Sequence, residues 1–305
     1  MSKKITIKSN KITKARNKKV NSNTYLSSFL KILWKISPKV ASYIVKRLFF
    51  RPKQYKLNNE QRQWIQKADN EFYFTVRGRK LKGWKWGKGP SVLLVHGWDS
   101  AGIQLYKFIN PILSHGYSVI TFDGPAHGVS QGKDTSYFEF SDVVREIIKL
   151  EICGEIAGII GHSMGASALI NAMSKEVINS KVVLIAPALP LKEMLFNTFQ
   201  SYGVPGWMFN KIIEKYEKRF NYSIENDNPI NLILKLENPF LIIHDKNDIA
   251  TPHTATEFAK KINPNITLSI TEGLGHVKIL FNDDIIEQSI SYILNSEIKY
   301  FQSSA

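Results

Sequence analysis

The sequence predicts an α/β fold: an eight-stranded, mostly parallel sheet with helices on both faces and a helical cap after the sixth strand. Three observations carry this. Short, wholly apolar runs recur along the chain, the pattern of strands buried on both faces. Helical patterns separate them, and strands alternating with helices argue for a parallel sheet covered on each side. One interval of about fifty residues, between "LIAPALP" and "NPFLIIHD", breaks the alternation, and it is too long for a plain connection.

The elements follow in order. "FYFTV" (Phe72–Val76) and "LKGWKW" (Leu81–Trp86), joined by "RGRK", read as an antiparallel hairpin. Six buried strands come after it: "SVLLVHG", "YSVITFDG", "EIAGIIGHS", "KVVLIAP", "PFLIIHD" and "ITLSITEG". Helices are expected over Leu105–Ser114, Tyr137–Leu150, Met164–Ser174, Thr254–Ile262 and Asp284–Asn295. The long interval contains "LKEMLFNTFQSYGVPGWMFNKIIEKYEKRF", two or more helices of a cap at about 188–236. Met194, Leu195, Phe196, Phe199, Trp207, Met208 and Phe209 are expected to be exposed at the helix breaks. The α/β domain spans 70–298.

Charge marks off what precedes it. The 305 residues carry a net +15, which suggests a nucleic-acid binder until it is located. Of the 41 Lys and Arg, sixteen precede the first acidic residue, Glu60; the 25 that follow face all 26 acidic residues. The body is near neutral, so the basicity says little about it, and nucleic acid is not the expected partner. Residues 1–23, rich in Lys, Asn, Ser and Thr, read as a solvated, disordered tail. Residues 24–58 turn apolar but are interrupted by Lys31, Lys35, Lys39, Lys46 and Arg47, and Pro38 divides them into two short helices. No uncharged run approaches the roughly eighteen residues of a spanning helix, and the lysines spoil a signal-peptide core. Two readings stand: helices packed on the main domain, or a basic amphipathic segment, within residues 1–56, lying on an anionic membrane surface. Cys153 is the single cysteine, so no internal disulfide forms and a reducing, cytoplasmic setting fits.

The residues with chemistry gather at strand ends, where open parallel sheets bind ligands. "VLLVHGW" ends on His96-Gly97-Trp98, "VITFDGPAHGVS" on Asp123 and His127, and "IIGHSMG" on Ser163. "LIIHDKNDIATP" carries Asp248, and "TEGLGHVKI" carries His276. A serine hydroxyl is a weak nucleophile, so an imidazole must take its proton as it attacks, and a buried carboxylate fixes the imidazole tautomer. Ser163, His276 and Asp248 are the expected nucleophile, base and acid; Asp245 is the rival acid. Gly161 and Gly165 permit the sharp turn around Ser163. The backbone N–H groups of Met164 and Trp98 are the expected oxyanion donors. His162, His96 and His127 read as packing and loop-holding residues, and His115, His244 and His253 carry no signal. No metal-ligand spacing appears, and no cofactor or metal is expected.

In combination, HGW, FDxPxHGxS, GHSMG, DxxTP and GLGH, with the order Ser163, Asp248, His276, resemble the α/β-hydrolase superfamily over Trp84 to about Leu294. The spacing is similar to that of a bacterial group of esterase- or lipase-like hydrolases with a basic helical extension ending near "LFFRP". The resemblance implies an α/β-hydrolase fold with a nucleophile elbow, and hydrolysis of a carboxylic ester through an acyl-enzyme. The apolar cap suits a small apolar or acyl substrate, with Trp207, Phe196 and Phe199 as candidate lining residues. Thioester or membrane-lipid hydrolysis is the alternative within enzymes. A non-catalytic binding protein on the same fold is the alternative outside them, although such proteins usually lose a triad member.

Overall fold

The computed structural model describes residues 24–294. The tail expected at 1–23 and the end of the domain beyond 294 lie outside the described residues.

Eight strands form one sheet in the order β1-β2-β4-β3-β5-β6-β7-β8. They are β1 (Asn70–Val76), β2 (Arg79–Trp86), β3 (Ser91–Val95), β4 (Ser118–Phe122), β5 (Ile156–His162), β6 (Lys181–Ile185), β7 (Phe240–Asp245) and β8 (Ile266–Thr271). β1 pairs antiparallel with β2, and β2 with β4; every other pairing is parallel. All eight expected strands are present. Every residue of β3, β4 and β7 is buried, as wholly apolar runs require. Period-two alternation sends Leu93 and Val95 into one apolar core and Val92 and Leu94 into the other, one on each side of the sheet.

The covering helices begin with α1 (Thr24–Ile36), α2 (Pro38–Phe49) and α3 (Asn59–Gln66). Pro38 stands at the first position of α2, where its missing N–H costs nothing. Asn58 caps α3 reciprocally with Gln61. A 3₁₀ segment (Gly102–Phe108) leads into α4 (Ile109–Ser114), where a single helix was expected. Then come α5 (Tyr137–Ile147) and α6 (Met164–Lys175). The long interval holds α7 (Leu191–Ser201), α8 (Gly206–Phe220) and α9 (Pro229–Ile233), and the chain continues with α10 (His253–Ile262), α11 (Gly275–Lys278) and α12 (Asp283–Ile293).

One expectation needs correction. Phe199, Met208 and Phe209 are buried, and Met194 and Leu195 are partly so; of the seven apolar cap residues only Phe196 and Trp207 are exposed. The reason is the N-terminal extension. Phe49 stacks on Phe199 with ring centroids 4.0 Å apart, and Phe50 stacks on Tyr216 at 4.0 Å. Phe49 also meets Tyr202 edge-on at 5.3 Å. Phe49, the last residue of α2, and Phe50 just after it therefore close the cap's own apolar surface. The chain after it is tied down as well: Thr135 N–H donates to the Phe50 carbonyl at 2.7 Å, and Lys53 N–H to Asp99 Oδ1 at 2.7 Å. In the described residues this basic segment is part of the fold.

Candidate active site

The strand order places the site. From β3 the chain moves to one side for β4 and returns across to the other for β5, so β3 and β5 flank the point where the order reverses. Ligands bind at such a point, outside the carboxyl ends. There Val95 of β3 lies beside Gly161 of β5.

Ser163 follows the last residue of β5 and takes φ 54°, ψ −121°. A side chain in that region costs on the order of 1–3 kcal/mol, so the surroundings must hold it. They do. Ser163 N–H donates to the Ile185 carbonyl at 2.9 Å, and the Ser163 carbonyl accepts from Ser167 N–H and Oγ, each at 3.1 Å. The glycines have a steric reason. A Cβ on Gly165 would lie 2.3 Å from the His96 carbonyl oxygen, and one on Gly97 would lie 2.9 Å from Ser163 Cβ. The turn and the His-Gly end of β3 pack backbone to backbone, which side chains would prevent.

Ser163 Oγ lies 3.0 Å from His276 Nε2, and His276 Nδ1 lies 2.7 Å from Asp248 Oδ2. With Nδ1–H donating to a carboxylate, Nε2 is free to accept a proton. Asp248 is buried and saturated. Oδ1 accepts from Ala250 N–H and Thr251 N–H at 2.8 Å each, and Oδ2 from Thr251 Oγ at 2.8 Å. Burial alone would raise its pKa, but hydrogen bonds from His244 and His276 outweigh it and hold the carboxyl far below the usual range.

The rival Asp245 does different work. Its Oδ1 accepts from Asn247 N–H and Gly275 N–H, both at 2.9 Å; its Oδ2 accepts from Thr271 Oγ at 2.8 Å and Leu274 N–H at 3.0 Å. Burial opposes its charge, but the Gly275 and Leu274 amides prevail and lower its pKa. Asp245 thus fixes the loop that carries His276, while Asp248 touches the imidazole itself. This second task was not visible in sequence.

Two histidines add support that residue-by-residue reading missed. His162 Nε2 is 2.9 Å from the His276 carbonyl oxygen, so the ring before the serine braces the backbone of the imidazole after it. Its Nδ1 is buried with no partner. Burial first, then the nearby His276, pushes its pKa down to about 3, keeping it neutral. His244, fully buried, has Nε2 3.0 Å from the Thr251 carbonyl oxygen and 3.4 Å from Asp248 Oδ2. Its place at the end of β7, four residues before Asp248, was the available signal.

His96 and Asp123 hold the neighbouring loops. Gly124 N–H donates to His96 Nε2 at 2.9 Å, and His96 Nδ1 donates to the Gly97 carbonyl at 2.7 Å; burial keeps this imidazole well below its ordinary pKa. Asp123 accepts from Gly102 N–H at 2.8 Å and Val129 N–H at 2.9 Å, while burial raises its pKa to about 6. His127 hydrogen-bonds the Pro125 carbonyl at 2.9 Å and meets Trp98 edge-on at 5.4 Å. Met164 opens α6, so its N–H has no acceptor within the helix.

The suggested lining residues do not gather as a set. Phe199 is fully buried between Phe49 and Phe209, inside the cap rather than on a ligand surface. Phe196 meets Phe209 edge-on and is 38% exposed; Trp207 is 50% exposed and tilts against Trp34 of α1.

An eight-stranded sheet of this order, with a strained serine and a paired histidine at the carboxyl ends, defines a class, and sequence comparison agrees. Residues 92–286, well over half of the chain, match the model of the alpha/beta hydrolase family. The chain belongs to that family of hydrolases. It is 29% identical over 197 residues to the uncharacterized Bacillus subtilis (strain 168) protein YqkD, covering 61% of this chain and 64% of that one. It is 26% identical over 164 residues to the hydrolase LUC6 of a Fusarium species, covering 50% and 38%. The chain therefore spans less than two thirds of the length of these curated relatives. Among solved structures it resembles the Pyrococcus furiosus esterase Pf2001, with a TM-score of 0.60, 21% identity, and 81% of this chain and 98% of that one covered. At that identity the likeness concerns the fold.

Proposed function

We propose that the protein is a serine hydrolase that cleaves a carboxylic ester through an acyl-enzyme. The observation that carries this reading is the hydrogen-bonded row from Ser163 Oγ through His276 to Asp248, with 3.0 Å and 2.7 Å links, on a serine lifted from the sheet by its strained backbone. Ser163 Oγ attacks the ester carbonyl while His276 Nε2 takes its proton. Asp248 holds the imidazole in the required tautomer and stabilises the imidazolium. The N–H groups of Met164 and Trp98 receive the oxyanion. The tetrahedral adduct then expels the alcohol, which takes the proton back from Nε2, and leaves Ser163 acylated. Water, deprotonated by the same nitrogen, repeats the sequence to release the acid. The apolar composition of the cap, in which Phe196 of α7 and Trp207 of α8 remain exposed, is the basis for expecting a modest apolar or acyl group.

Turnover of p-nitrophenyl acetate and butyrate, with labelling by a fluorophosphonate, tests the proposal. Both are expected to vanish in Ser163→Ala. Full labelling of that variant would overturn the site, and turnover of the matched thioester at a higher kcat/KM would reassign the bond.

A further inference from the structure

The N-terminal helices present a second surface unrelated to the serine. Each buries one face against the rest of the fold and turns another outward. In α1, Leu30 and Trp34 are buried, whereas Phe29, Ile32 and Ile36 are exposed at 52%, 59% and 75%. Their spacing of three and four residues puts these three on one stripe of the helix. Lys31 and Lys35, both exposed, run along its edge. In α2, Ala41 and Val45 face inward, while Val40, Tyr43 and Leu48 face solvent with Arg47 among them. Beside α1 a cavity of about 580 Å³ opens between the helix and the α7–α8 turn. It is lined by Lys31, Trp34, Lys35, Gln200, Val204 and Trp207.

Neither half of this surface is ordinary alone. Exposed aliphatic and aromatic side chains in a row are costly in water unless something covers them. Cations would make a poor lining for a purely apolar protein partner. Together they match an interface whose outer layer is anionic and whose depth is hydrocarbon. Charge complementarity supports this occupant, because the chain has no acidic residue before Glu60 and sixteen cations ahead of it, eight of them in residues 1–23. No helix among the described residues is long and apolar enough to cross a bilayer, so the mode is lying on the surface, not spanning.

We infer that α1 and α2 dock the protein on an anionic lipid membrane, with Phe29, Ile32 and Ile36 entering the headgroup–acyl boundary and Lys31 and Lys35 meeting lipid phosphates. Tryptophan at the rim, here Trp207 with Lys211 5.3 Å above its ring, suits the headgroup level.

Vesicle co-sedimentation of the full chain tests this. Vesicles of phosphatidylglycerol and phosphatidylcholine mixed are compared with phosphatidylcholine alone. The full chain should bind the anionic vesicles and not the neutral ones. Ile32→Glu with Ile36→Glu should weaken binding at least tenfold, and Lys31→Gln with Lys35→Gln by about fivefold per charge, given roughly 1 kcal/mol per cation at the surface. All these side chains are exposed, so melting temperature and short-ester turnover should stay at wild-type values, showing that the variants fold. Wild-type vesicle binding by the Ile32→Glu/Ile36→Glu variant would overturn the docking face, as would equal binding to neutral vesicles. A dimer in solution that the same two substitutions dissociate, without vesicle binding, would overturn it in favour of a second copy of the chain.

Discussion

Asp248→Asn should separate the two aspartates at the end of β7 more sharply than any other substitution. Asp248 Oδ1 accepts two backbone N–H groups, from Ala250 and Thr251, so an introduced amide would keep its carbonyl there. Its NH₂ would then occupy the place of Oδ2, 2.7 Å from His276 Nδ1. An NH₂ in that position donates, forcing Nδ1 to accept and moving the ring proton to Nε2. An imidazole protonated at Nε2 cannot take the Ser163 proton. The expected loss in kcat is about 10⁴-fold, as for a wrong tautomer in a serine triad, or about 5 kcal/mol of barrier. Asp245→Ala works through the fold instead. It strips the acceptor from Asn247, Leu274 and Gly275 N–H and from Thr271 Oγ. At about 1 kcal/mol each, that is roughly 4 kcal/mol of stability, or a Tm lower by about 8–16 °C for a domain of this size. The assay pairs p-nitrophenyl butyrate kinetics with thermal melts. More than a tenth of wild-type kcat in Asp248→Asn, with Asp245→Ala inactive at unchanged Tm, would refute the assignment of roles.

Other expectations follow from the same contacts. Gly165→Ala should lower Tm and activity together, because the methyl would meet the His96 carbonyl oxygen at 2.3 Å and the cost of forcing it in is about 1–3 kcal/mol; native activity would show that the turn yields. Phe50→Ala should cost about 3–5 kcal/mol in chemical denaturation, since it empties the stack on Tyr216; an unchanged midpoint would mean that the extension is not part of the core. Stability should fall from pH 7 to pH 5. His127 and His162 are pushed down to about 4 and 3, and His96 is also lowered. Below their ordinary value of about 6.5 the unfolded chain takes up protons that the folded chain refuses. Asp123, raised to about 6, and Glu139, also raised by burial, oppose this, because the folded chain protonates them first, but they are two groups against three. His127→Phe should flatten the pH slope of unfolding free energy by up to about 1.4 kcal/mol per pH unit; an unaltered slope would contradict that burial.

The sheet was legible because strands buried on both faces must be apolar throughout, and the six parallel strands announce themselves that way. Ser163 and His276 could be paired in advance because topology brings every carboxyl end to one edge, whatever the distance in sequence. The choice between Asp245 and Asp248 was legible only as a spacing. What separates them, four donors on one and an imidazole on the other, arises from the loops after β7 and β8 meeting, and no local pattern encodes it. The start expected at Tyr137 holds, and Ser136, whose side chain accepts from Glu139 N–H, fixes it. The split of Leu105–Ser114 was not legible: Leu105 leaves helical geometry at φ −85°, ψ 23°, and no Gly or Pro at that position announces it.

The cap shows why exposure is the hardest property to read from a chain. Phe199 and Phe209 stand in a helical pattern no different from that of Phe196, and periodicity assigns all of them to a surface needing cover. It cannot say what supplies the cover. The structure gives that task to the end of α2, 150 or more residues earlier: its last residue, Phe49, stacks on Phe199, and the next, Phe50, on Tyr216. The same act decides the fate of the extension's other face. Once Leu30, Trp34, Ala41 and Val45 are committed inward, the helices meet no second protein layer among the described residues, and Phe29, Ile32 and Ile36 stay exposed beside Lys31 and Lys35. Packing on the domain and lying on a membrane, which competed as accounts of this segment, therefore require opposite faces of the same helices. The first holds, and it leaves free the side chains that the second would use.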